Sequence, residues 1–363
     1  MFEASGKYWE NTIKPLTLSG HTASLVSDSY QYPHRVGIFP GLSCMYYCSF
    51  CGRNKSAAYD RSIVDDGIDL YKQMITDAPR DTIGWEDRFR ISGGQEPLTN
   101  PRVGELVTHA ASYGYKVSMY TNGHMLTPSL IEKQSGLQSL KSLRISMYGY
   151  DEESYTHVTK NRHSWKTVTN NLKQLHMPNT NIGMNWIILP GHGSDYLKFI
   201  NFVKNIDMKQ QLSYITVRED FSQNLVVISD EERKELIDII HEANAILPDV
   251  HIDYGYALAP LLNGEVTGPL KMADYTQLPP YGIPQASVQV DIKGNIYVFH
   301  ETAFLDRPGS DKFIIGNIRD GLENVIKSHL ANRIPFEYIP SDTEMLDAYD
   351  HAVSLWVYSK VCT

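Results

Sequence analysis

Three kinds of sequence feature are absent from this chain, and each absence excludes a class of protein. No apolar run approaches the roughly 20 residues that cross a bilayer as a helix, so no membrane partner is expected. No run of lysine and arginine stands out and the formal net charge is -9, which argues against binding to nucleic acid. The N-terminus lacks the basic and then apolar pattern of a secretory signal. We therefore expect a cytoplasmic protein.

Cysteine is also scarce, with 4 residues in 363, and three of these lie close together. Cys44, Cys48 and Cys51 have the spacing C-x3-C-x2-C and lie between Gly41 and Gly52. Thiolates this close together on one loop can converge on a single soft metal centre. Three protein ligands leave one metal position open, which is typical of a reactive centre rather than a structural one.

The spacing by itself leaves two other interpretations open. A zinc site would need a fourth ligand such as His34 or a water, and zinc sites usually use two C-x2-C pairs. A disulfide does not suit three clustered cysteines in a chain without a secretory signal. A non-catalytic zinc-binding protein is therefore the alternative from a different class. It would be colourless, whereas an iron–sulfur protein would be brown.

The cysteine loop, with the aromatic Phe50 directly before Cys51, resembles the signature of the radical S-adenosylmethionine (radical SAM) enzymes. The resemblance implies that Cys44, Cys48 and Cys51 hold a [4Fe-4S] cluster and that Phe50 lies near the adenine of SAM. It also implies an electron donor such as flavodoxin or ferredoxin. In this family SAM is reductively cleaved to a 5'-deoxyadenosyl radical, which abstracts hydrogen from the substrate.

Short apolar segments alternate with helical segments along most of the chain. Strands are predicted at 36–39, 88–92, 116–120, 143–148, 182–189 and 212–217. This α/β order predicts a parallel sheet with right-handed crossovers, as a partial TIM-like barrel of six βα units or as an open doubly wound sheet. The resemblance favours the partial (βα)6 barrel.

Three regions are predicted: an N-terminal lead-in over 1–35, the partial barrel over 36–222 and a smaller α+β cap over 223–363. In the last region, alternating apolar residues on both sides of Gly294 predict a β-hairpin. This part resembles the SPASM/twitch-like extension that binds auxiliary clusters in many radical SAM enzymes. It lacks the cysteines for such clusters, so we expect a cap over the substrate without an auxiliary cluster.

A glycine-rich segment after the second predicted strand is the first candidate SAM contact. Gly93, Gly94, Gln95 and Glu96 precede Pro97 and resemble the family's Gly-Gly-Glu-Pro motif, which grips the amino group of SAM. Gln95 is an extra residue in that motif. The resemblance therefore leaves open whether Gln95 or Glu96 contacts the amine.

Four polar residues further along the chain are the remaining candidate cofactor contacts. Asn122 lies in a Thr-Asn-Gly tripeptide that marks the end of the third strand in the family, and Ser146, Asn185 and Arg218 lie on the next three strands. The resemblance places a contact to SAM at Ser146, and further contacts to SAM or substrate at Asn185 and Arg218. An isolated strand serine or asparagine is more often a paired structural group.

The candidate catalytic residues lie in the C-terminal region. His300 and Glu301 follow the predicted hairpin and either face the substrate or form a surface turn. Cys362, in the polar tail, is a candidate hydrogen-atom donor to the substrate radical. The alternative is that the Cys362 thiol is incidental.

The absence of auxiliary clusters leaves no internal acceptor for a net two-electron oxidation. We therefore expect a redox-neutral elimination, decarboxylation, rearrangement or epimerisation. Single-cluster relatives with such a cap often act on small polar molecules in natural-product biosynthesis, so the resemblance implies a sugar, nucleoside or amino sugar as substrate. A peptide substrate is the alternative within the family.

Overall fold

The computed structural model describes residues 13–48, 50–56, 58–189, 192–219, 229–254, 280–339, 342, 345 and 348–361. Its strands are β1 (Arg35–Phe39), β2 (Phe89–Ile91), β3 (Ser118–Thr121), β4 (Ser142–Met147), β5 (Asn181–Ile188), β6 (Tyr214–Glu219), β7 (His251–Tyr254), β8 (Ser287–Asp291), β9 (Asn295–Tyr297) and β10 (Ile314–Asn317). They form one sheet in the order β10-β9-β8-β1-β2-β3-β4-β5-β6-β7. The strands from β8 to β7 pair in parallel, and β9 and β10 pair antiparallel.

Helices connect the parallel strands and flank the sheet. The helices are α1 (Lys14–Leu18), α2 (His21–Ser27), α3 (Val64–Asp77), α4 (Val103–Ser112), α5 (Pro128–Lys133), α6 (Glu152–Thr159), α7 (Ser164–Gln174), α8 (Asp195–Asn205), α9 (Asp230–Ile246), α10 (Leu322–Asn332) and α11 (Ala348–Val361). On β4, Leu143, Ile145 and Met147 are fully buried in the main apolar core. The alternate residues of β4 are part-exposed and lie on the opposite face, which we call the inner face.

The predicted fold class is confirmed: the protein is an α/β fold with a central parallel sheet of the partial-barrel type. The sheet is open, because its end strands β10 and β7 do not pair with each other. The six predicted strands correspond to β1 to β6, and the predicted hairpin corresponds to β8 and β9. Alternation and helical spacing were therefore reliable guides along the barrel.

Two sequence expectations differ from the structure. No helix was predicted in the lead-in over 1–35, but it contains α1 and α2, whose Leu16 and Leu25 pack with Tyr349 and Val353 of α11. A seventh parallel strand, β7, was also not expected, because a short part-exposed segment gives little apolar signal.

The hairpin belongs to the same sheet as the barrel, because β8 pairs in parallel with β1 along its whole length. Tyr71 of α3 supports this junction by donating hydrogen bonds to the carbonyl oxygens of Phe39 (3.2 Å) and Val290 (3.1 Å). Gly67 of α3 also fits closely here, because an added Cβ would lie 2.3 Å from the carbonyl oxygen of Ile292. The division of the chain at residues 222–223 stays a prediction.

Candidate active site

The loops that follow β1 and β2 are joined by backbone and side-chain hydrogen bonds at the carboxyl edge of the sheet. The amide of Glu96 donates to the carbonyl of Ser43 (2.9 Å), and the Thr99 hydroxyl accepts from the amide of Leu42 (3.0 Å). Asn100 donates to the carbonyl of Pro40 (3.0 Å). Parallel strands deliver both loops to the same edge, so the cysteine segment and the Gly-Gly-Gln-Glu segment form one surface.

The three thiols of the cysteine loop lie within electrostatic range of one another. The pKa of the Cys48 thiol is raised to about 12, chiefly by burial and also by the neighbouring Cys51 and Cys44. Burial also raises the pKa of Cys44, to about 11, and that of Cys51. All three are free thiols, a soft donor set that suits iron–sulfur chemistry.

The structure does not present these thiols as a finished metal site. Among the described residues, no three His, Cys, Asp or Glu side chains are arranged to hold a metal ion. A [4Fe-4S] cluster holds its cysteine sulfurs farther apart than a single metal ion does, so this observation does not exclude one. Three free thiols on one glycine-flanked segment are the donor set that such a cluster uses.

Asn122, the predicted contact after β3, lies directly beside the first cysteine. Its Nδ2 group donates to the sulfur of Met45 (3.1 Å) and lies 3.5 Å from the sulfur of Cys44. Its Oδ1 accepts from the amide of His124 (2.9 Å), which fixes the orientation of the side-chain amide. The structure therefore brings Asn122 and the cysteine loop together.

Glu96 and Gln95 have different environments. The buried Glu96 carboxylate accepts from the Thr121 hydroxyl (2.6 Å), the Asn122 amide (2.8 Å) and the Leu98 amide (3.1 Å). Burial raises the pKa of this carboxyl, and the hydrogen bonds oppose that shift. Gln95 is also buried, and its Nε2 group has no hydrogen-bond partner among the described residues. Glu96 thus anchors the loop, whereas Gln95 retains unused hydrogen-bonding capacity.

The two glycines before Gln95 are not equivalent. Gly94 has φ +80°, and an added Cβ would lie 3.1 Å from the Phe304 ring and 3.2 Å from the Phe39 ring. Glycine at 94 is therefore required by the turn and by protein packing. At Gly93 an added Cβ would meet Phe304 at an ordinary 3.9 Å, so this position is less crowded.

Aromatic side chains pack against the residues of the cysteine loop. Phe50 stacks on Tyr148, with ring centroids 6.0 Å apart and planes 30° apart. Tyr148 hydrogen-bonds to Ser146, and its hydroxyl pKa is raised well above the ordinary value, chiefly by burial. Tyr46 and Tyr155 make edge-on contacts with Tyr148. The structure therefore connects Phe50 with Ser146 through one part-buried tyrosine.

Ser146 and Asn185 are neighbours on β4 and β5, in the same register layer as Thr216 of β6. Asn185 and Thr216 are buried, and the Thr216 hydroxyl has no partner among the described residues. Arg218 pairs in register with Ile187, and its side chain lies outside the described part. Ser146 and Asn185 thus lie where a ligand on the inner face would meet them.

The two candidates after the hairpin lie in different surroundings. The Glu301 carboxylate is close enough to raise the pKa of the Cys51 thiol, although burial is the larger cause of that shift. The His300 ring contacts the buried Asp350 of α11 through Nδ1 (2.8 Å). The structure thus places Glu301 near the cysteine loop. The ring contact described for His300 is with α11 instead. Cys362 lies outside the described residues.

Sequence reasoning missed two arginines that hold the cysteine loop. The buried Arg53 donates to the carbonyls of Tyr46 and Cys44. Arg307 donates to the carbonyl of Glu301 (2.8 Å), and its Nη1 lies 2.5 Å from where a Cβ on Gly52 would be. Arg53 follows the last cysteine by two positions, so its place in the loop was a usable signal. Nothing in the local sequence indicated Arg307.

Comparison with known proteins agrees with this geometry. Residues 38–203 match the radical SAM superfamily. The chain is 31% identical over 366 residues to dTDP-4-amino-4,6-dideoxy-D-glucose ammonia-lyase from Streptomyces venezuelae, covering 96% of this chain and 75% of that protein. The chain therefore belongs to the radical SAM superfamily. It is an enzyme whose cofactors are SAM and a [4Fe-4S] cluster.

Solved structures share the fold at low sequence identity. Streptococcus suis SuiB bound to S-adenosylmethionine has a TM-score of 0.54 and 12% identity, over 88% of this chain and 70% of that one. Native anSMEcpe with bound AdoMet has a TM-score of 0.53 and 14% identity, over 90% of this chain and 96% of that one.

Among the described residues, no helix is long and apolar enough to cross a membrane. Family membership favours the cluster over the zinc alternative.

Proposed function

We propose that this enzyme is a radical SAM lyase that releases ammonia from a nucleotide-activated amino sugar. The observation that carries the proposal is the 31% identity, over 96% of the chain, to the dTDP-amino-sugar ammonia-lyase. This substrate class belongs to the predicted group of small polar substrates, and ammonia release is one of the predicted redox-neutral eliminations.

The cysteine content supports a redox-neutral outcome. Beyond the loop at 44–51, the chain has one further cysteine, Cys362, which cannot hold an auxiliary cluster alone. In the proposed reaction the C–N bond at the amino carbon breaks and a C–H bond replaces it, while the neighbouring hydroxyl-bearing carbon loses its two hydrogens and becomes a carbonyl. The hydrogen atom lost to the 5'-deoxyadenosyl radical would be made up at the former amino carbon, by a hydrogen-atom donor such as Cys362 or by an electron from the external donor together with a proton. The sugar therefore gains and loses no net electrons, and no second cluster is required.

The residues of the site have separate proposed roles. Cys44, Cys48 and Cys51 would hold the cluster, and Asn122 would donate to the sulfur of Cys44. Gln95, with Gly93 and Gly94, would contact the amino group of SAM, while Glu96 keeps that loop in place. When bound, the cluster and SAM supply the radical that abstracts a hydrogen atom from the substrate.

Further contacts of the proposed site come from the aromatic and polar residues around it. Phe50, held by Tyr148, would face the adenine of SAM, and Ser146 would meet its ribose or carboxylate. Asn185 and Arg218 would contact SAM or the substrate from the next two strands. A flavodoxin or ferredoxin would supply the electron.

A proton must leave the hydroxyl group as the carbonyl forms, and a carboxylate can accept it. We assign this role to Glu301, whose side chain is 34% exposed and lies beside the cysteine loop. The Nη1 group of Arg307 lies 3.9 Å from the Glu301 carboxylate and places a positive charge beside it. His300 and Cys362 remain predicted catalytic residues, the latter as a hydrogen-atom donor.

The test is a product assay with the anaerobically reconstituted enzyme. With SAM, dithionite and dTDP-4-amino-4,6-dideoxy-D-glucose, we expect ammonia and a deaminated dTDP-sugar in equal amounts, together with 5'-deoxyadenosine. The Cys48→Ala variant serves as the inactive control. Formation of 5'-deoxyadenosine without release of ammonia would contradict the lyase assignment, and turnover of a peptide instead would favour the alternative substrate.

A further inference from the structure

A cationic side chain lies on the inner face of the sheet, below the loops of the active site. Arg144 is near the middle of β4 and is part-exposed, between the buried Leu143 and Ile145 that face the core. Its register neighbours are Tyr120 of β3 and Gly183 of β5. Arg144 precedes the last residue of β4 by three positions, which is about 10 Å along a strand.

Two tyrosines hold the Arg144 guanidinium in one position. Its Nε donates to the Tyr214 hydroxyl (3.0 Å) and its Nη1 donates to the Tyr120 hydroxyl (2.8 Å). The guanidinium carbon lies 5.0 Å from the centre of the Tyr214 ring and 5.2 Å from that of Tyr120. Both geometries are those of cation–π contacts, so the cation is fixed by neutral groups.

Gly183 makes this arrangement possible. A Cβ at this position would lie 2.2 Å from atoms of the Tyr214 ring. Gly183 pairs with Tyr214 in the strand register, so a larger residue there would push the ring off the guanidinium. The absence of a side chain at 183 is therefore what allows Tyr214 to reach Arg144.

The charge of Arg144 is not neutralised by an ion pair among the described residues. None of their carboxylates lies within ion-pair distance of it, and Asp253 acts on it through longer-range attraction. A guanidinium has five N–H donors, and the tyrosines engage Nε and Nη1. The remaining N–H donors of this fixed, part-exposed cation are therefore available to an anion.

Polar groups continue from Arg144 toward the active-site loops. The next layer of the inner face, nearer the strand ends, contains Ser146, Asn185 and Thr216. Asn185 is 7% exposed, and the buried Thr216 hydroxyl has no hydrogen-bond partner among the described residues. Polar groups thus connect the cation with the edge where the cysteine loop lies.

We propose that Arg144, held by Tyr120 and Tyr214, binds the diphosphate of the nucleotide-activated sugar. The proposal rests on the proposed function, which supplies the substrate class. A guanidinium matches phosphate oxygens with two parallel hydrogen bonds. Asn185 and Thr216 then hydrogen-bond polar groups of the same ligand, between the diphosphate and the active-site loops. A sugar nucleotide is long enough to extend from those loops to Arg144.

The experiment measures binding of dTDP and of SAM to the reconstituted holoenzyme by calorimetry. Arg144→Met and Arg144→Gln should each weaken dTDP binding by about 10- to 100-fold, the range expected for lost charged hydrogen bonds. The dTDP affinity of Arg144→Lys should lie between those of these variants and the wild type, since lysine keeps the charge but lacks the paired N–H donors of the guanidinium. SAM affinity, iron content and melting temperature should stay at wild-type values. Arg319→Met, a surface arginine paired with Asp66, is the matched control.

Each outcome separates this inference from the proposed function. If the wild type releases ammonia from the amino sugar and all Arg144 variants bind dTDP as it does, the anion site is wrong and the lyase proposal stands. If the variants lose stability and SAM affinity while the folded protein keeps its dTDP affinity, Arg144 only stabilises the fold and the anion site is wrong. If the wild type binds neither dTDP nor the dTDP-sugar, the substrate class itself is wrong and both proposals fail.

Discussion

The active-site edge is formed by two regions that differ in how their sequence encodes them. The cysteine loop and the Gly-Gly-Gln-Glu loop are short continuous motifs, each placed by the strand directly before it. The segment at 300–307 reaches the same edge through the pairing of β8 with β1, from far along the chain. There Phe304 packs near Gly94, and Arg307 lies against Gly52. The proposed cofactor contacts thus come from local motifs, whereas long-range packing places the segment at 300–307 beside them.

The strongest test of this comparison removes one ligand from the first region. Cys48→Ala should abolish iron loading and the formation of 5'-deoxyadenosine, because no described thiol outside Cys44 and Cys51 can replace it. Iron content and the visible spectrum after anaerobic reconstitution measure the effect. Cys362→Ala is the matched control and should load iron normally. A Cys48→Ala protein that cleaved SAM with dithionite would refute the assignment of the cluster.

The sequence was sufficient to place the strands that carry the first region, because alternation and glycine-containing turns are local signals, and alternation placed β1 to β6. Spacing predicts Cys44, Cys48 and Cys51 as the cluster ligands, which stays a prediction, and the structure joins their loop to the Gly-Gly-Gln-Glu loop. The chemistry of individual residues was less accessible. No local pattern distinguishes the anchored Glu96 from Gln95, since the difference depends on Thr121 and Asn122 of another loop.

The segment at 300–307 was only partly predictable, because its position depends on contacts between residues far apart in the sequence. The hairpin could be recognised from its turn, but its pairing with β1 depends on the whole fold.

Arg144 of β4 was missed because an arginine in an alternating strand is normally a solvated residue. Its distinctive feature is the pair of tyrosines from β3 and β6, which the sheet brings together. Long-range contacts of this kind leave no spacing signal.

The second test addresses the proposed proton acceptor in the C-terminal segment. Glu301→Gln should lower the rate of ammonia release by about 100-fold, the lower range for loss of a general base. Iron content and SAM affinity should be unchanged if the carboxylate acts on the substrate alone. Glu323→Gln on α10, where Glu323 pairs with Lys327, is the control for a surface glutamate. Equal rates for Glu301→Gln and the wild type would remove Glu301 from the mechanism.

The third test separates structural from catalytic roles in the C-terminal region. The buried Asp350 carboxylate accepts from both the amide and the ring Nδ1 of His300, each at 2.8 Å. In Asp350→Asn one acceptor becomes a donor, so we expect a loss of about 1–3 kcal/mol in the free energy of unfolding. Chemical denaturation measures it, with the exposed Asp320→Asn as control. Full stability with a large loss of turnover would instead indicate that His300 takes part in catalysis.

The last and smallest effect returns to the loop after β2, where the resemblance left two residues open. Gln95→Ala should weaken SAM binding about tenfold, equivalent to about 1.4 kcal/mol, and lower the melting temperature less than Glu96→Ala does, because the hydrogen bond that Gln95 accepts from Arg53 is long (3.4 Å). Glu96→Ala should do the reverse and destabilise the fold, because the Asn122 amide and the Thr121 hydroxyl lose a buried acceptor. Calorimetry with SAM and thermal melts of both variants give the two quantities. A stable Glu96→Ala protein with weakened SAM binding would assign the amine contact to Glu96 and reduce Gln95 to a spacer in the loop.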